Sequence, residues 1–183
     1  MGSEMCIRDR TVAIFFTRSK REFPYKLKVD GVEVPYSQET KYLGVTLDKQ
    51  LHWKSHINGK IKAAKRRLMQ FTAVAKKYWG PRPKLMKWAY TGIARTILAY
   101  AAFVWAHEID HPDIRAKLLR LNRLAILTYA HAPRSAPTKG LEIITDTMPL
   151  PLFLQEHAVL TFARIHKQVD LDWEGMYLSL IHI

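Results

Sequence analysis

The order of hydrophobic and polar positions changes along the chain from β-like segments to a helical repeat. Thr11–Phe16 is a short apolar run rich in β-branched and aromatic residues, which predicts a buried strand. Residues 25–29 and 32–34 are also β-prone and flank Asp30-Gly31. Because an Asp-Gly pair tolerates the positive φ angles of a tight turn, these residues predict a β-hairpin.

A further β-like segment covers Lys41–Asp48. Leu43, Val45 and Leu47 alternate with other residues and would lie on one face of a single strand. Gly44 lies inside this segment, where it predicts a bulge or a close approach by another part of the backbone.

A helical repeat begins at Trp53. Apolar residues recur there every three or four positions, and this spacing predicts one long amphipathic helix. The repeat consists of Trp53, Ile57, Ile61, Ala64, Leu68, Phe71, Ala75 and Tyr78. Gly80-Pro81-Arg82-Pro83 predicts the end of this helix.

More helices are predicted in the C-terminal half. Residues 84–106 are apolar on all sides over much of their length, which predicts a second helix at the centre of a bundle. Asp113 is the predicted cap of a third helix, and a connector at 132–138 precedes further helices beginning at Thr138 and near 152. The predicted fold class is therefore α+β and mainly helical, with a small antiparallel sheet or hairpin followed by a helical bundle.

Charge is concentrated in one block of the chain. From Lys49 through His107, both included, there are thirteen Lys and Arg residues and no Asp or Glu, and thirteen is also the formal net positive charge. A merely solvated face would carry interspersed acidic residues, so the block favours nucleic acid as a partner over a membrane surface. Charge and helical position select six candidate phosphate contacts: Lys54, Lys62, Lys65, Arg66, Lys76 and Lys77.

Aromatic residues are frequent in the same block. Most of them fall on apolar stripes, so packing in the core is favoured over stacking on bases. Trp79, beside the Gly80-Pro81 break, is the predicted exception. The longest uncharged apolar run, Thr96–Ala106, is far shorter than the ~20 residues that cross a bilayer, so no membrane partner is predicted.

The two ends of the chain are related through the DNA that encodes them. Codons for Met5–Arg10 can be the reverse complement of codons for Leu178–Ile183, which predicts that residues 1–10 and 178–183 derive from an inverted sequencing adapter. The alternative is a frayed N-terminus and an apolar C-terminal tail. The single cysteine, Cys6, lies in the first segment, so the remaining chain lacks disulfides, which fits a reducing compartment.

Two histidine pairs have the spacing of metal ligands. His107 to His111 spells the H-E-x-x-H motif of zinc metalloproteases, whose histidines must share one helical face. Pro112 disfavours a helical conformation at His111, so a helix end and turn is the favoured interpretation. His52 and His56 flank a helix start, where a structural role is also favoured. No metal ligand is predicted.

Several motifs follow one another in a fixed order. They are Lys41-Tyr42-Leu43-Gly44-Val45, then Leu51, Trp53, His56 and Ile57, then Ile97–Tyr100 with Trp105, and finally Met148-Pro149-Leu150. Together they resemble the end of the palm, the thumb and the connector of reverse transcriptases from non-LTR (LINE-type, Jockey-like) retrotransposons. Ala101 stands where that family usually has Gly, and Asn122 where it usually has Gln.

The resemblance implies a domain order and a set of contacts. It implies the end of a palm at residues 11–50, a thumb-like helical bundle at 51–131 and a helical connector at 132–177. It also implies that Tyr42, Leu43 and Gly44 contact the primer end. The implied partners are the RNA template, the DNA primer and the rest of the parent polymerase, and the implied location is intracellular and nuclear.

The catalytic centre of this family needs carboxylates that hold two divalent metal ions. The family's catalytic loop carries adjacent aspartates, whereas no two Asp residues are adjacent here, and that loop would precede Thr11. The fragment is therefore expected to have no catalytic residue and no cofactor, while the parent polymerase uses Mg²⁺. The implied function is gripping the primer–template duplex. The alternatives are a stand-alone basic helical nucleic-acid-binding module and a decayed retroelement product without activity.

Overall fold

The computed structural model describes residues 11–17, 25–29, 31–74 and 82–168. Lys76, Lys77, Trp79 and both predicted adapter segments lie outside these residues. The chain divides into two compact units, one up to His56 and one from Ile57, and the boundary falls within a helix. The described strands lie in the first unit and nearly all of the helical residues in the second, so the predicted α+β class, mainly helical, is confirmed.

Two antiparallel hairpins lie in the first unit. Strand β1 (Lys28–Val29) pairs with β2 (Val32–Glu33), and Val29 lies opposite Val32. The two-residue connection contains Gly31 with a φ of 79°, a conformation that glycine adopts without steric cost. The hairpin predicted around Asp30-Gly31 is confirmed.

The second hairpin corrects the prediction of one strand over Lys41–Asp48. Strand β3 (Glu39–Tyr42) pairs with β4 (Val45–Asp48), and Tyr42 lies opposite Val45. Leu43 and Gly44 connect them with φ angles of 45° and 79°, and a type I′ turn requires both angles to be positive. Gly44 therefore forms a turn, not a bulge, and Leu43 lies at the tip.

Thr11–Phe16 is not the buried strand that its composition predicts. The N–H of Ala13 donates to the carbonyl of Pro35 at 3.0 Å, and its carbonyl accepts the N–H of Ser37 at 2.8 Å. Because Pro35 has no N–H to donate, this parallel pairing cannot extend further in that direction. Val12 and Phe16 accordingly stay 44% and 47% exposed.

The second unit is helical, and α1 begins just before it. In chain order the elements are α1 (Lys54–Val74), α2 (Pro83–Ala89), a π-helical turn (Tyr90–Ala94), α3 (Arg95–Ala99), α4 (Ala102–Trp105), a 3-10 helix (Ala106–Asp110), α5 (Pro112–Ala130), α6 (Thr138–Ile144) and α7 (Leu150–Gln168). No helix in the described part of the chain is long and apolar enough to cross a bilayer. In α1 the predicted stripe is buried at Ile57, Ala64 and Leu68.

The second predicted helix, over residues 84–106, is interrupted twice. At the π-helical turn the N–H of Arg95 donates to the carbonyl of Tyr90, one residue further back than in an α-helix. Ala101 then adopts a left-handed conformation, with φ 54° and ψ 25°, between α3 and α4. The central position is nevertheless as predicted, because Leu98 and Trp105 are fully buried and α4 packs against α7.

Asn122 of α5 connects three helical segments inside the second unit. Its Oδ1 accepts a hydrogen bond from the Tyr90 hydroxyl at 2.7 Å, and its Nδ2 donates to Glu142 Oε1 of α6 at 2.8 Å. Asn122 and Tyr90 are 0% and 1% exposed. Burial raises the pKa of Tyr90 to about 12, although the Arg95 guanidinium acts in the opposite direction.

Arg95 is buried although it belongs to the basic block of the sequence. Its guanidinium carbon lies 5.1 Å from the ring centroid of Tyr90 and 4.7 Å from that of Phe153 on α7. It also donates a hydrogen bond to the carbonyl of Met148. Two aromatic rings and a carbonyl therefore stabilise the cation, and Arg95 joins α3 to the start of α7.

Candidate nucleic-acid interface

The chain turns from β4 into α1 around the carboxylate of Asp48. Its Oδ2 accepts the backbone N–H of His52 at 2.9 Å, and its Oδ1 accepts that of Trp53 at 3.0 Å. Leu51 and Trp53 have positive φ angles of 54° and 56°, which are unfavourable for residues with a Cβ atom. The charge-assisted bonds to Asp48 stabilise this loop, so the motif at residues 48–53 sets where α1 begins.

A hydrogen bond of His56 joins the first turn of α1 to β4. Its Nδ1 accepts the backbone N–H of Thr46 at 3.0 Å, and the residue is 3% exposed. An imidazole that accepts at Nδ1 carries its proton on Nε2, so Nδ1 is occupied and does not face a ligand. His52 is exposed and lies 3.9 Å from Asp48 Oδ2. The two histidines therefore have different surroundings and form no ligand pair.

The three residues expected to contact a primer end lie at the tip of the second hairpin. Tyr42 is 65% exposed and Leu43 is 73% exposed. Gly44 completes the turn between β3 and β4. The tip therefore presents an aromatic and an aliphatic side chain at the surface, on the backbone turn between β3 and β4.

Four of the predicted phosphate contacts form one exposed surface of α1. We call this surface the α1 cationic face; it consists of Lys54, Lys62, Lys65 and Arg66. At 3.6 residues per turn these positions fall within about a third of the helix circumference, away from the buried stripe. In the described ranges, none of the four side chains makes a hydrogen bond or an ion pair with another residue. Their charges are available to an external anion.

Other cations of the basic block are used inside the second unit. Lys60 Nζ lies 4.5 Å from the ring centroid of Tyr100. Lys87 Nζ donates to the carbonyls of Thr145 and Asp146 at 2.6 Å and 3.0 Å, at the C-terminal end of α6, where a cation is favourable. The block therefore divides into structural cations and the α1 cationic face.

Trp88 is an exposed aromatic residue that the sequence interpretation missed. It is 66% exposed on α2, whereas Tyr90 and Trp105 are buried as predicted. The sequence signal for this exposure is Lys84, a charged residue four positions earlier, because residues four apart share one helical face. Lys84 is also exposed. Trp88 is a candidate for base stacking that the structure adds.

The H-E-x-x-H motif does not have the geometry of a zinc site. His107 lies in the 3-10 helix, while His111 is extended, with φ −63° and ψ 125°, and precedes α5. The two rings therefore do not project from successive turns of one α-helix, as zinc metalloproteases require. His107 Nε2 instead lies 3.8 Å from Glu108 Oε1. The favoured interpretation, a helix end and turn, is confirmed.

Comparison with known proteins finds related sequences among retrotransposons. The chain is 22% identical over 144 residues to the putative 115 kDa protein in type-1 retrotransposable element R1DM of Drosophila melanogaster. It is 23% identical over 153 and 162 residues to retrovirus-related Pol polyproteins from type-1 retrotransposable elements R1 of Bradysia coprophila and Nasonia vitripennis. The chain has a retrotransposon-related origin.

These alignments cover most of the chain but a small part of its relatives. They span 79%, 81% and 80% of this chain, against 14%, 15% and 47% of the three relatives. No protein-family model matches the chain, and no solved structure matches it significantly. The similarity to these relatives therefore indicates that the chain is a retroelement-derived fragment.

Proposed function

We propose that the chain is a non-catalytic part of a retrotransposon RNA-directed DNA polymerase and holds the primer–template duplex. The similarity to R1 Pol polyproteins supports the polymerase context. The order of motifs supports the end of a palm, a thumb and a connector as the region concerned. The observation that carries the proposal is the α1 cationic face, whose charges lack internal partners in the described residues.

The dimensions of α1 suit an RNA–DNA hybrid. Its 21 residues extend over about 30 Å at ~1.5 Å per residue, close to the ~34 Å of one helical turn of a duplex. Hybrid duplexes are recognised through shape and backbone phosphates, not through base edges. Unpaired Lys and Arg side chains along one helical face supply contacts of that kind.

In the proposed polymerase, this chain positions the duplex while chemistry occurs elsewhere. Tyr42, Leu43 and Gly44 contact the primer end, and Lys54, Lys62, Lys65 and Arg66, together with Lys76 and Lys77, contact phosphates. The carboxylates and the Mg²⁺ ions of the polymerase belong to its catalytic loop, outside this chain. The RNA template, the DNA primer and the rest of the polymerase are the partners, and the nucleus is the place of action.

Binding of an RNA–DNA hybrid across KCl concentrations tests the phosphate contacts. Each contact contributes about −0.9 to the slope of log affinity against log salt, so the Lys62→Ala/Lys65→Ala variant should reduce the slope by roughly 2. The matched control is Arg120→Ala/Lys139→Ala, which removes the same charge from α5 and α6. Equal effects of both variants, or an affinity of the wild-type chain that barely changes with salt, would contradict the proposal.

A recessed primer end distinguishes a polymerase fragment from a general basic module. The wild-type chain should bind a hybrid with a recessed primer 3′ end more tightly than a blunt hybrid of equal length. Leu43→Ser should abolish this preference because it removes the apolar side chain from the hairpin tip. The Lys62→Ala/Lys65→Ala variant should weaken both complexes alike. Absence of any preference in the wild-type chain would favour the stand-alone module.

A further inference from the structure

A groove lined by apolar and cationic residues lies on the second unit. It is formed by α5, α6 and the start of α7, and its volume is about 420 Å³. Its lining includes Leu119, Pro151 and Leu152, which we call the floor, and Arg120, Arg123 and Lys139, which we call the rim. Leu119 and Leu152 are 38% and 48% exposed although they are aliphatic. Such a concave apolar surface favours a ligand with an apolar group.

The rim carries positive charge that internal contacts do not neutralise. Arg120 and Lys139 make no hydrogen bond or ion pair with any residue the structure describes. The guanidinium of Arg123 donates to the carbonyls of Ala136 and Arg134 at 2.9 Å and 2.6 Å, which orient it and carry no net charge to neutralise it. Glu142, a carboxylate among the lining residues, accepts from Asn122 in the interior.

Floor and rim together define the chemistry of the occupant. The floor favours an aliphatic or aromatic side chain of the ligand, and the rim favours carboxylates on either side of that side chain. Single-stranded nucleic acid stacks its bases on aromatic side chains, whereas the apolar residues of this lining are leucines and prolines. A second copy of this chain, with its net charge of +13, is a poor match for a cationic rim.

We propose that this groove binds an acidic amphipathic peptide segment of a partner protein. One or two apolar side chains of the segment enter the groove, and its Asp or Glu residues pair with Arg120 and Lys139. Helical segments with apolar residues at i, i+4 and i+7 bind grooves between helices in this manner. None of the residues that line the groove belongs to the α1 cationic face.

A labelled synthetic peptide tests the proposal on the full chain. The probe carries leucines at i, i+4 and i+7 with glutamates between them, and fluorescence anisotropy reports its binding. A second peptide replaces the leucines by serine and keeps every glutamate. The wild-type chain should bind the leucine peptide at least about tenfold more tightly, because only that peptide fills the apolar floor. Equal binding of the two peptides would overturn the proposal.

Charge-matched variants locate the peptide. Arg120→Glu/Lys139→Glu should weaken binding of the leucine peptide about tenfold or more, whereas Lys62→Glu/Lys65→Glu on α1 should leave it nearly unchanged. The same two variants should have the reverse effect on the RNA–DNA hybrid. Circular dichroism checks that each variant is folded, and Leu152→Ser tests the floor without a change of charge.

Three results would contradict the proposal. If both charge variants weaken the peptide equally, the binding is nonspecific attraction. If Arg120→Glu/Lys139→Glu weakens the hybrid as much as the α1 variant does, the groove belongs to the nucleic-acid surface. If sedimentation shows self-association that Leu152→Ser abolishes, a second copy occupies the groove. Failure of the α1 prediction alone leaves the peptide site intact, so the two proposals are separately testable.

Discussion

The hydroxyl of Tyr90 donates a buried hydrogen bond to Oδ1 of Asn122, and the distance is 2.7 Å. The same amide donates to Glu142 from its other side. A buried polar group that loses its partner is costly, whereas a satisfied pair contributes little net energy. The chain from Tyr90 to Glu142 therefore specifies how the π-helical turn, α5 and α6 pack together.

Replacing Asn122 with Leu should lower the free energy of unfolding by about 1–3 kcal/mol, because the Tyr90 hydroxyl is left buried without its acceptor. Adding Tyr90→Phe in that background should restore part of the loss, since both polar partners are then gone. Urea denaturation of the two single variants and the double variant measures this coupling. A purely additive result would show that the two side chains do not interact.

The stability of the fold should fall as pH rises above 10. Burial raises the pKa of Tyr90 from 10.0 to about 12, so between these values the unfolded chain releases the phenolic proton and the folded chain keeps it. The stabilisation that the protonated Tyr90 hydroxyl gives the folded chain is complete below pH 10 and is lost as the pH passes about 12. Its slope is at most about 1.4 kcal/mol per pH unit for one proton.

Tyr90→Phe isolates that contribution from the titration of lysines. Unfolding by urea at a series of alkaline pH values should show a shallower fall for this variant than for the wild-type chain. Absorbance of tyrosinate should meanwhile show one tyrosine of the folded wild-type chain ionising after the others. Parallel stability curves for the two proteins would argue that Tyr90 does not have a raised pKa.

Ala101→Gly should stabilise the chain. Ala101 has a φ of 54°, and a left-handed conformation costs a residue with a Cβ atom roughly 1–2 kcal/mol, of which the greater flexibility of unfolded Gly offsets a part. Thermal denaturation should show a higher Tm. Ala116→Gly, inside α5 and one turn after its start, is the control and should lower stability by about 1 kcal/mol. A lower Tm for both variants would contradict the left-handed conformation.

His56→Ala should destabilise the first unit, whereas His52→Ala should have little effect. The first change removes the buried acceptor of the Thr46 N–H and costs about 1–3 kcal/mol. The second affects an exposed ring 3.9 Å from Asp48, where ion pairs contribute little. Hydrogen exchange of the Thr46 amide provides a local measurement. Unchanged protection in His56→Ala would show that the bond is not formed.

The two hairpins show when turn chemistry can be predicted from sequence. Asp30-Gly31 is a frequent pair in two-residue turns, and it identified the first hairpin. Leu43-Gly44 offers no such cue, because an aliphatic residue with positive φ is uncommon. The alternation around it therefore favours a single strand. The sequence identified the motif that resembles the palm end, but it did not predict that the backbone turns at Leu43-Gly44.

The helical bundle was predicted more fully than its interruptions. Spacing of apolar residues identified α1 and α5 because their buried positions repeat every three or four residues. Residues 84–106 contain no proline, and their one glycine, Gly92, lies within the π-helical turn, so no proline or glycine of this chain marks the break at Ala101. Tertiary packing, with Leu98 and Trp105 buried on either side, determines where the helix ends.

Composition identified the positive charge of the candidate interface, but it did not show which cations pack inside the second unit and which stay exposed. Arg95, Lys60 and Lys87 belong to the same block as the α1 cationic face, yet each contacts rings or carbonyls of the second unit. Groups distant in sequence, such as the Phe153 ring and the Thr145 carbonyl, decide this assignment. The apolar groove was missed for the same reason, because its walls come from three helices.

The π-helical turn determines which residues after it face the interior. It contains one residue more per turn than an α-helix, and this surplus carries Arg95 to the position between Tyr90 and Phe153. Deleting a single residue from Tyr90–Ala94 would leave an ordinary α-helix and rotate everything downstream by about 100°. Sequence length in this segment is thus constrained independently of its composition, and a relative with one residue fewer there must anchor α7 by another side chain.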